Sequence, residues 1–285
     1  MANEIYSKSW WGSGVCDNDV NWGLVYKPYA SCEIPREKSF IEKFGEPESG
    51  YSLRNLTSNP EQYVIQVINK ELETFDLLET QINETDLLPF GTTLRVVKWY
   101  DQAGGSNETL TADPFNAPYI IKDKIMFFQN RKPTIYFANQ TQLSLITEFR
   151  PRFNSLQSYN VSSYSPRQEP GQLEYNILKD VGRPPGRPLI QLLPSREPGE
   201  RNSFKSIYSK IIQNGISYTG EDGFFREFES DPALINLYSV PGALTSPINF
   251  MLGNTTEMFI AEFILYKDLS LNQEEVTENI MNYYL

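Results

Sequence analysis

From Gly50 onward, β-branched and aromatic residues alternate with polar ones in short runs bounded by turn residues. The first are Tyr51 to Leu56, Tyr63 to Ile68 and Leu94 to Tyr100, and similar runs recur as far as Met258 to Tyr266. Such runs suit pleated, half-buried strands. Almost no helical period separates them, whereas a parallel sheet would need a crossover helix after nearly every strand. The pattern predicts an all-β fold, an antiparallel β-sandwich, over residues 50–285.

Three segments break the rhythm. Residues 1–49 carry Trp10, Trp11, Trp22, Tyr26, Tyr29 and Phe40 among Gly, Asn and Pro without a sustained period, so they read as an irregular N-terminal arm. Rings on a segment lacking its own periodic core are expected to pack on something else, either its own sandwich or a neighbouring subunit. Residues 150–203 are crowded with Pro and Arg, notably Gly182 to Pro188 and Pro194 to Gly199, and read as an excursion of loops from the sandwich edge. At the C-terminus a helix is predicted over Gln273 to Tyr284, capped by Ser270, with Glu274 and Glu275 in its first turn. Val276, Ile280 and Tyr283 or Tyr284 form its apolar stripe.

Composition narrows the chemistry. The 285 residues include 25 Lys plus Arg against 36 Asp plus Glu, a formal charge of -11 that disfavours binding to nucleic-acid phosphates. Histidine is absent, which removes Ser-His-Asp and Cys-His mechanisms and most zinc sites. Neither a Gly-x-Gly-x-x-Gly nor a phosphate-loop sequence occurs. Cys16 and Cys32 are too few for a disulfide framework and read as reduced thiols, with pairing across a hairpin left open. No apolar run is long enough to span a bilayer, and Met1 to Trp11 lacks the basic and apolar segments of a signal peptide. The Asn-x-Ser/Thr sequons beginning at Asn55, Asn83, Asn107, Asn139, Asn160 and Asn254 are accordingly read as chance.

Three stretches, in order, resemble a known family: Tyr51-Ser52-Leu53-Arg54-Asn55-Leu56, then Trp99-Tyr100-Asp101-Gln102-Ala103-Gly104-Gly105-Ser106-Asn107, then Ile260-Ala261-Glu262-Phe263-Ile264-Leu265-Tyr266 with the helix ending Tyr284-Leu285. Arg131 to Phe137 adds a fourth. The pattern is similar to the concanavalin A-like (laminin G-like) jelly rolls of tailed-phage structural proteins, bacterial surface proteins and the catalytic domain of some fungal arabinofuranosidases. The resemblance implies a jelly-roll sandwich and allows calcium at loop tips. Asp17, Asn18 and Asp19 lack an ordered ligand spacing, however, and read as a solvated turn. No other cofactor is implied.

The resemblance, with no export signal, leads to the expectation of a non-enzymatic virion structural protein, a capsid decoration or tail appendage component assembled in the host cytoplasm. Its arm would dock on other virion proteins and its sandwich would be displayed, open to host-surface glycans. One alternative is a cell-surface or secreted carbohydrate-binding adhesin; the other is a glycoside hydrolase of arabinofuranosidase type, with Glu262 as a candidate carboxylate. Candidate binding residues are Trp99, Tyr100, Asp101, Gln102, Asn107, Tyr159, Tyr164, Tyr218 and Phe224. For Asp101 and Gln102, holding the Gly104-Gly105 turn is the favoured role over ligand contact.

Overall fold

The computed structural model describes residues 37–103, 110–138, 141–145, 157–164, 175–180, 187–193, 202–206, 208–218, 224–225, 233–239, 250–253, 257–266 and 272–285. The arm residues Trp10, Trp11, Trp22, Tyr26 and Tyr29, the Asp17–Asp19 cluster, both cysteines and Asn107 lie outside them. The chain divides into two compact units, Met1–Lys38 and Ser39–Leu285. The boundary falls before the expected residue 49 because Ser39 starts a helix, Phe40–Phe44, that belongs to the second unit. Ser39 and Glu42 form a reciprocal capping box, and Phe40 and Phe44 are buried.

The fold is all-β with a C-terminal helix, and the strand pairs among the described residues are antiparallel. The long strand Met258–Tyr266 organises one layer. Ser49–Ser52 and Ile135–Phe137 pair with it end to end, and Gln157–Tyr164 pairs along nearly its whole length. Ala233–Ser239 and Tyr208–Gln213 extend the layer from Gln157–Tyr164. In the other layer, Tyr63–Ile68 lies between Thr74–Leu78 and Leu94–Trp99, and Tyr119–Lys122 follows. Among the described residues a single pair, Tyr136 with Tyr119, links the layers.

Between them lies the main core, in which Val64, Val67, Leu94, Val96 and Trp99 meet Ile135, Ile260, Phe263 and Leu265. Burying each such side chain contributes about 1.5–3 kcal/mol. A second cluster covers the opposite face of the long strand, where Phe40, Phe44, Val276, Ile280 and Tyr284 from the two helices pack on Tyr159, Ala261, Ile264 and Tyr266. One strand serves both clusters because of a β-bulge. The register with Gln157–Tyr164 passes from Val161–Glu262 to Ser162–Ile260 and leaves Ala261 unpaired. Met258 and Ile260 face the main core before the bulge; Phe263 and Leu265 face it afterwards.

The C-terminal helix spans Gln273–Tyr284 as expected, but its cap is Asn272 rather than Ser270, with the Glu275 N–H donating to the Asn272 side chain at 3.5 Å. The excursion also needs correction. Gln157–Tyr164 is a central strand whose Gln157, Ser158, Asn160, Ser162 and Ser163 are fully buried, so its polarity concealed its place in the sheet.

The bulge directs Glu262 into the helix-covered face, opposite Arg54. Arg54 Nε donates to Glu262 Oε2 at 2.8 Å and Nη2 to Oε1 at 3.0 Å, a bidentate pair with side chains 8% and 0% exposed. Ser52 Oγ donates to the same carboxylate at 2.6 Å, and the guanidinium stacks on Phe40, Tyr283 and Tyr284 at 4.8–5.7 Å from the ring centroids. Burial pulls the Arg54 pKa down, but the adjoining Glu262 carboxylate more than restores it, leaving the group above its ordinary value.

Burial raises the Tyr284, Tyr266 and Tyr283 hydroxyls above the ordinary tyrosine range. The Glu262 carboxylate adds to this at Tyr284 and Tyr266, and the Glu79 carboxylate at Tyr283. These raised values keep the folded hydroxyls neutral where unfolded ones ionise, near pH ~10. The stability they contribute is fully present below that pH and is lost as pH rises through the folded values. We expect a urea midpoint that is flat from about pH 7 to 9 and falls above about pH 10. Phenolate absorbance from these rings should appear only with unfolding; full ionisation in the folded state would refute the assignment.

Candidate functional site

The outer face of the second layer brings together side chains that are distant in sequence. Strand pairing sets Gln66 opposite Asp76 on one side and Lys98 on the other. Alternation turns all three away from the core that Ile65, Val67, Leu77 and Trp99 enter. Tyr100 follows Lys98, and its ring centroid lies 6.4 Å from that of Tyr63, a residue 48% exposed. Asp76 Oδ1 accepts from the Tyr100 hydroxyl at 2.5 Å and from Gln66 Nε2 at 2.8 Å. Burial and then the hydrogen bond to Asp76 push the Tyr100 hydroxyl above its usual range. The carboxylate is thereby oriented through one oxygen. Two rings, a fixed carboxylate, a planar amide and an ammonium share one exposed surface.

Of the expected binding residues whose side chains are described, only Tyr100 belongs to this face. Trp99 and Tyr159 are fully buried in the two core clusters and offer no ring face to a ligand, which corrects their assignment. Asp101 and Gln102 hold backbone, though not that of Gly104-Gly105, which lies outside the described residues. Asp101 Oδ1 accepts from the Gly50 and Ala103 N–H groups at 2.7 and 2.9 Å. Gln102 is buried; its Oε1 accepts from the Leu56 N–H, and its Nε2 donates to the Ser52 and Arg54 carbonyls, all within 2.7–3.0 Å. The backbones of Tyr164, Tyr218 and Phe224 lie in strands, while their side chains are outside the description. Tyr63, Gln66 and Asp76 were missed. Their only sequence signal is polar alternation in Tyr63–Ile68, since Asp76 joins them through cross-strand pairing.

Among the described residues no group of three or more His, Cys, Asp or Glu side chains could hold a metal, and no helix is long and apolar enough to cross a membrane. The glycosidase candidate Glu262 has both oxygens engaged by Arg54.

The fold and site define an all-β antiparallel protein with an aromatic and polar outer face. No family model and no curated protein matches the chain. Two solved structures are similar to it. One is a GH54 α-L-arabinofuranosidase soaked with a cyclic sulfate inhibitor, 12% identical with a TM-score of 0.43, the match covering 84% of this chain and 63% of that one. The other is an arabinofuranosidase complexed with arabinofuranosyl-α-1,2-xylobiose, 13% identical with a TM-score of 0.45, covering 86% and 64%. The chain spans a little under two thirds of the length of either. Both are described as arabinofuranosidases, and the expectation of a virion structural role is withdrawn.

Proposed function

We propose that this chain binds carbohydrate without cleaving it, through the Tyr63–Tyr100 face, and that its sandwich is of the concanavalin A-like jelly-roll type. The observation that carries the binding reading is the carboxylate of Asp76. Both of its donors among the described residues, Tyr100 and Gln66, use Oδ1, which leaves Oδ2 to accept from a ligand hydroxyl. Sugars present hydroxyls around an apolar C–H face, and an exposed tyrosine ring beside fixed acceptors and a donor such as Lys98 complements both features. Hydrolysis would need a second carboxylate across the scissile bond; among the described residues Asp76 is the only acid assigned to this face.

A glycan array on the intact protein, followed by calorimetry on the hits, tests the proposal. Tyr63→Ala and Asp76→Asn are each expected to weaken binding about tenfold, equivalent to ~1.4 kcal/mol, with little change in melting temperature because both side chains are exposed. Binding unchanged in both variants, or no glycan bound at all, refutes the site. Release of sugar from an aryl arabinofuranoside refutes the non-catalytic reading.

A further inference from the structure

A cavity of about 240 Å³ opens beside the buried ion pair. Leu53, Ile82 and Pro133 form an apolar wall, with Arg131 and Lys132 beside it. Its acid, Glu79, is already engaged: Oε1 accepts from the Tyr283 hydroxyl at 3.0 Å and Oε2 from the Asn55 N–H at 2.8 Å. Lys132 Nζ rests 3.8 Å from the centroid of the Tyr283 ring. Neither Arg131 nor Lys132 forms an ion pair with a described carboxylate. With Arg54 matched by Glu262, the described lining sets two cations, Arg131 and Lys132, against the single carboxylate of Glu79, a local excess of positive charge in a chain of net charge -11.

The backbone at Arg131 adds a separate argument. Asn130 and Arg131 form the two-residue turn between Phe128–Gln129 and Lys132–Pro133, with φ of 45° and 63°. Such a turn favours Asn-Gly, because glycine alone takes the left-handed region without steric cost. The chain uses that pair at Asn214-Gly215, between Tyr208–Gln213 and Ile216–Tyr218. At the cavity an arginine stands where glycine would relieve strain. The turn is also pinned, since Asn130 Nδ2 donates to the Tyr284 and Leu285 carbonyl oxygens, both at 2.8 Å. The pinned turn thereby fixes the backbone of Arg131 at the edge of the cavity.

We propose that this cavity binds an acidic monosaccharide, with its carboxylate between Arg131 and Lys132 and its ring against Leu53, Ile82 and Pro133. The volume suits one sugar ring, and a guanidinium fork pairs with a carboxylate through two parallel hydrogen bonds. The site shares no residue with the tyrosine face.

Calorimetry at low salt, with galacturonate and glucuronate against galactose, glucose and inorganic phosphate, tests the proposal. We expect the uronates to bind with a Kd of roughly millimolar order and the neutral sugars not to bind. Arg131→Gly should weaken uronate binding at least ~10-fold, the loss of a charge-assisted pair, yet raise the melting temperature by about 1–2 °C through relief of the turn. Lys124→Gly, at the other strained two-residue turn (Asp123 and Lys124, φ 52° and 68°), should raise the melting temperature similarly and leave binding unchanged. The proposal is overturned by uronate binding that survives Arg131→Gly, by equal binding of neutral sugars, by phosphate binding more tightly than either uronate, or by no uronate binding. Uronate binding must also survive Tyr63→Ala; its loss there would assign the acidic sugar to the tyrosine face instead.

Discussion

Glu262→Gln is expected to destabilise the protein by about 3–5 kcal/mol, because it strands the Arg54 guanidinium in a buried site without its counter-charge. Glutamine preserves shape, so a cavity contributes little. Its amide nitrogen would also turn a donor toward the Ser52, Tyr284 and Arg54 groups that converge on the carboxylate. Urea denaturation of wild type and variant gives the difference directly. Combining Arg54→Met with Glu262→Leu should recover most of the loss, since removing both charges also removes their desolvation cost. A loss below about 1 kcal/mol for Glu262→Gln would show the pair to be solvent-screened, contrary to the burial described above.

The second large effect is expected at Gln102. Gln102→Leu keeps volume but leaves the Leu56 N–H and the Ser52 and Arg54 carbonyls without their side-chain partner. Stranding buried polar groups costs about 1–3 kcal/mol each, and with partial relaxation the variant should lose ~3 kcal/mol overall. Because Ser52 and Arg54 also belong to the ion-pair network, Gln102→Leu and Glu262→Gln should be non-additive by at least ~0.5 kcal/mol. If Gln102 were instead a ligand contact, its replacement would change binding and leave the denaturation midpoint in place.

These two residues mark what could be read from the chain. The Trp99 to Gln102 stretch and the C-terminal helix were legible, since aromatic strand ends and a stripe at Val276, Ile280 and Tyr284 are local signals. Thr74–Leu78 was not. It lies in a stretch rich in Glu and Leu, both good helix formers, and pairing with Tyr63–Ile68 overrides that propensity. Gln157–Tyr164 failed for the opposite reason: its Ser, Asn and Gln residues resemble loop composition, yet the sheet buries them. Tyr159 was misplaced with it, as polar neighbours made a core ring look exposed. The tyrosine face depends on Asp76 crossing to Gln66 and Tyr100, and so required the sheet register before it could be recognised.

The unpaired Ala261 acts on the long strand as a half-period shift acts on a wave. Upstream and downstream of it the same surface is written in opposite parity, even-numbered residues first and odd-numbered residues after. Deleting that one residue would restore strict alternation and exchange inside for outside along one half of the strand. A chain of the same fold lacking this extra residue would therefore have to place its arginine partner one step away, and the spacing from that partner to the strand end is a compact record of whether the shift is present.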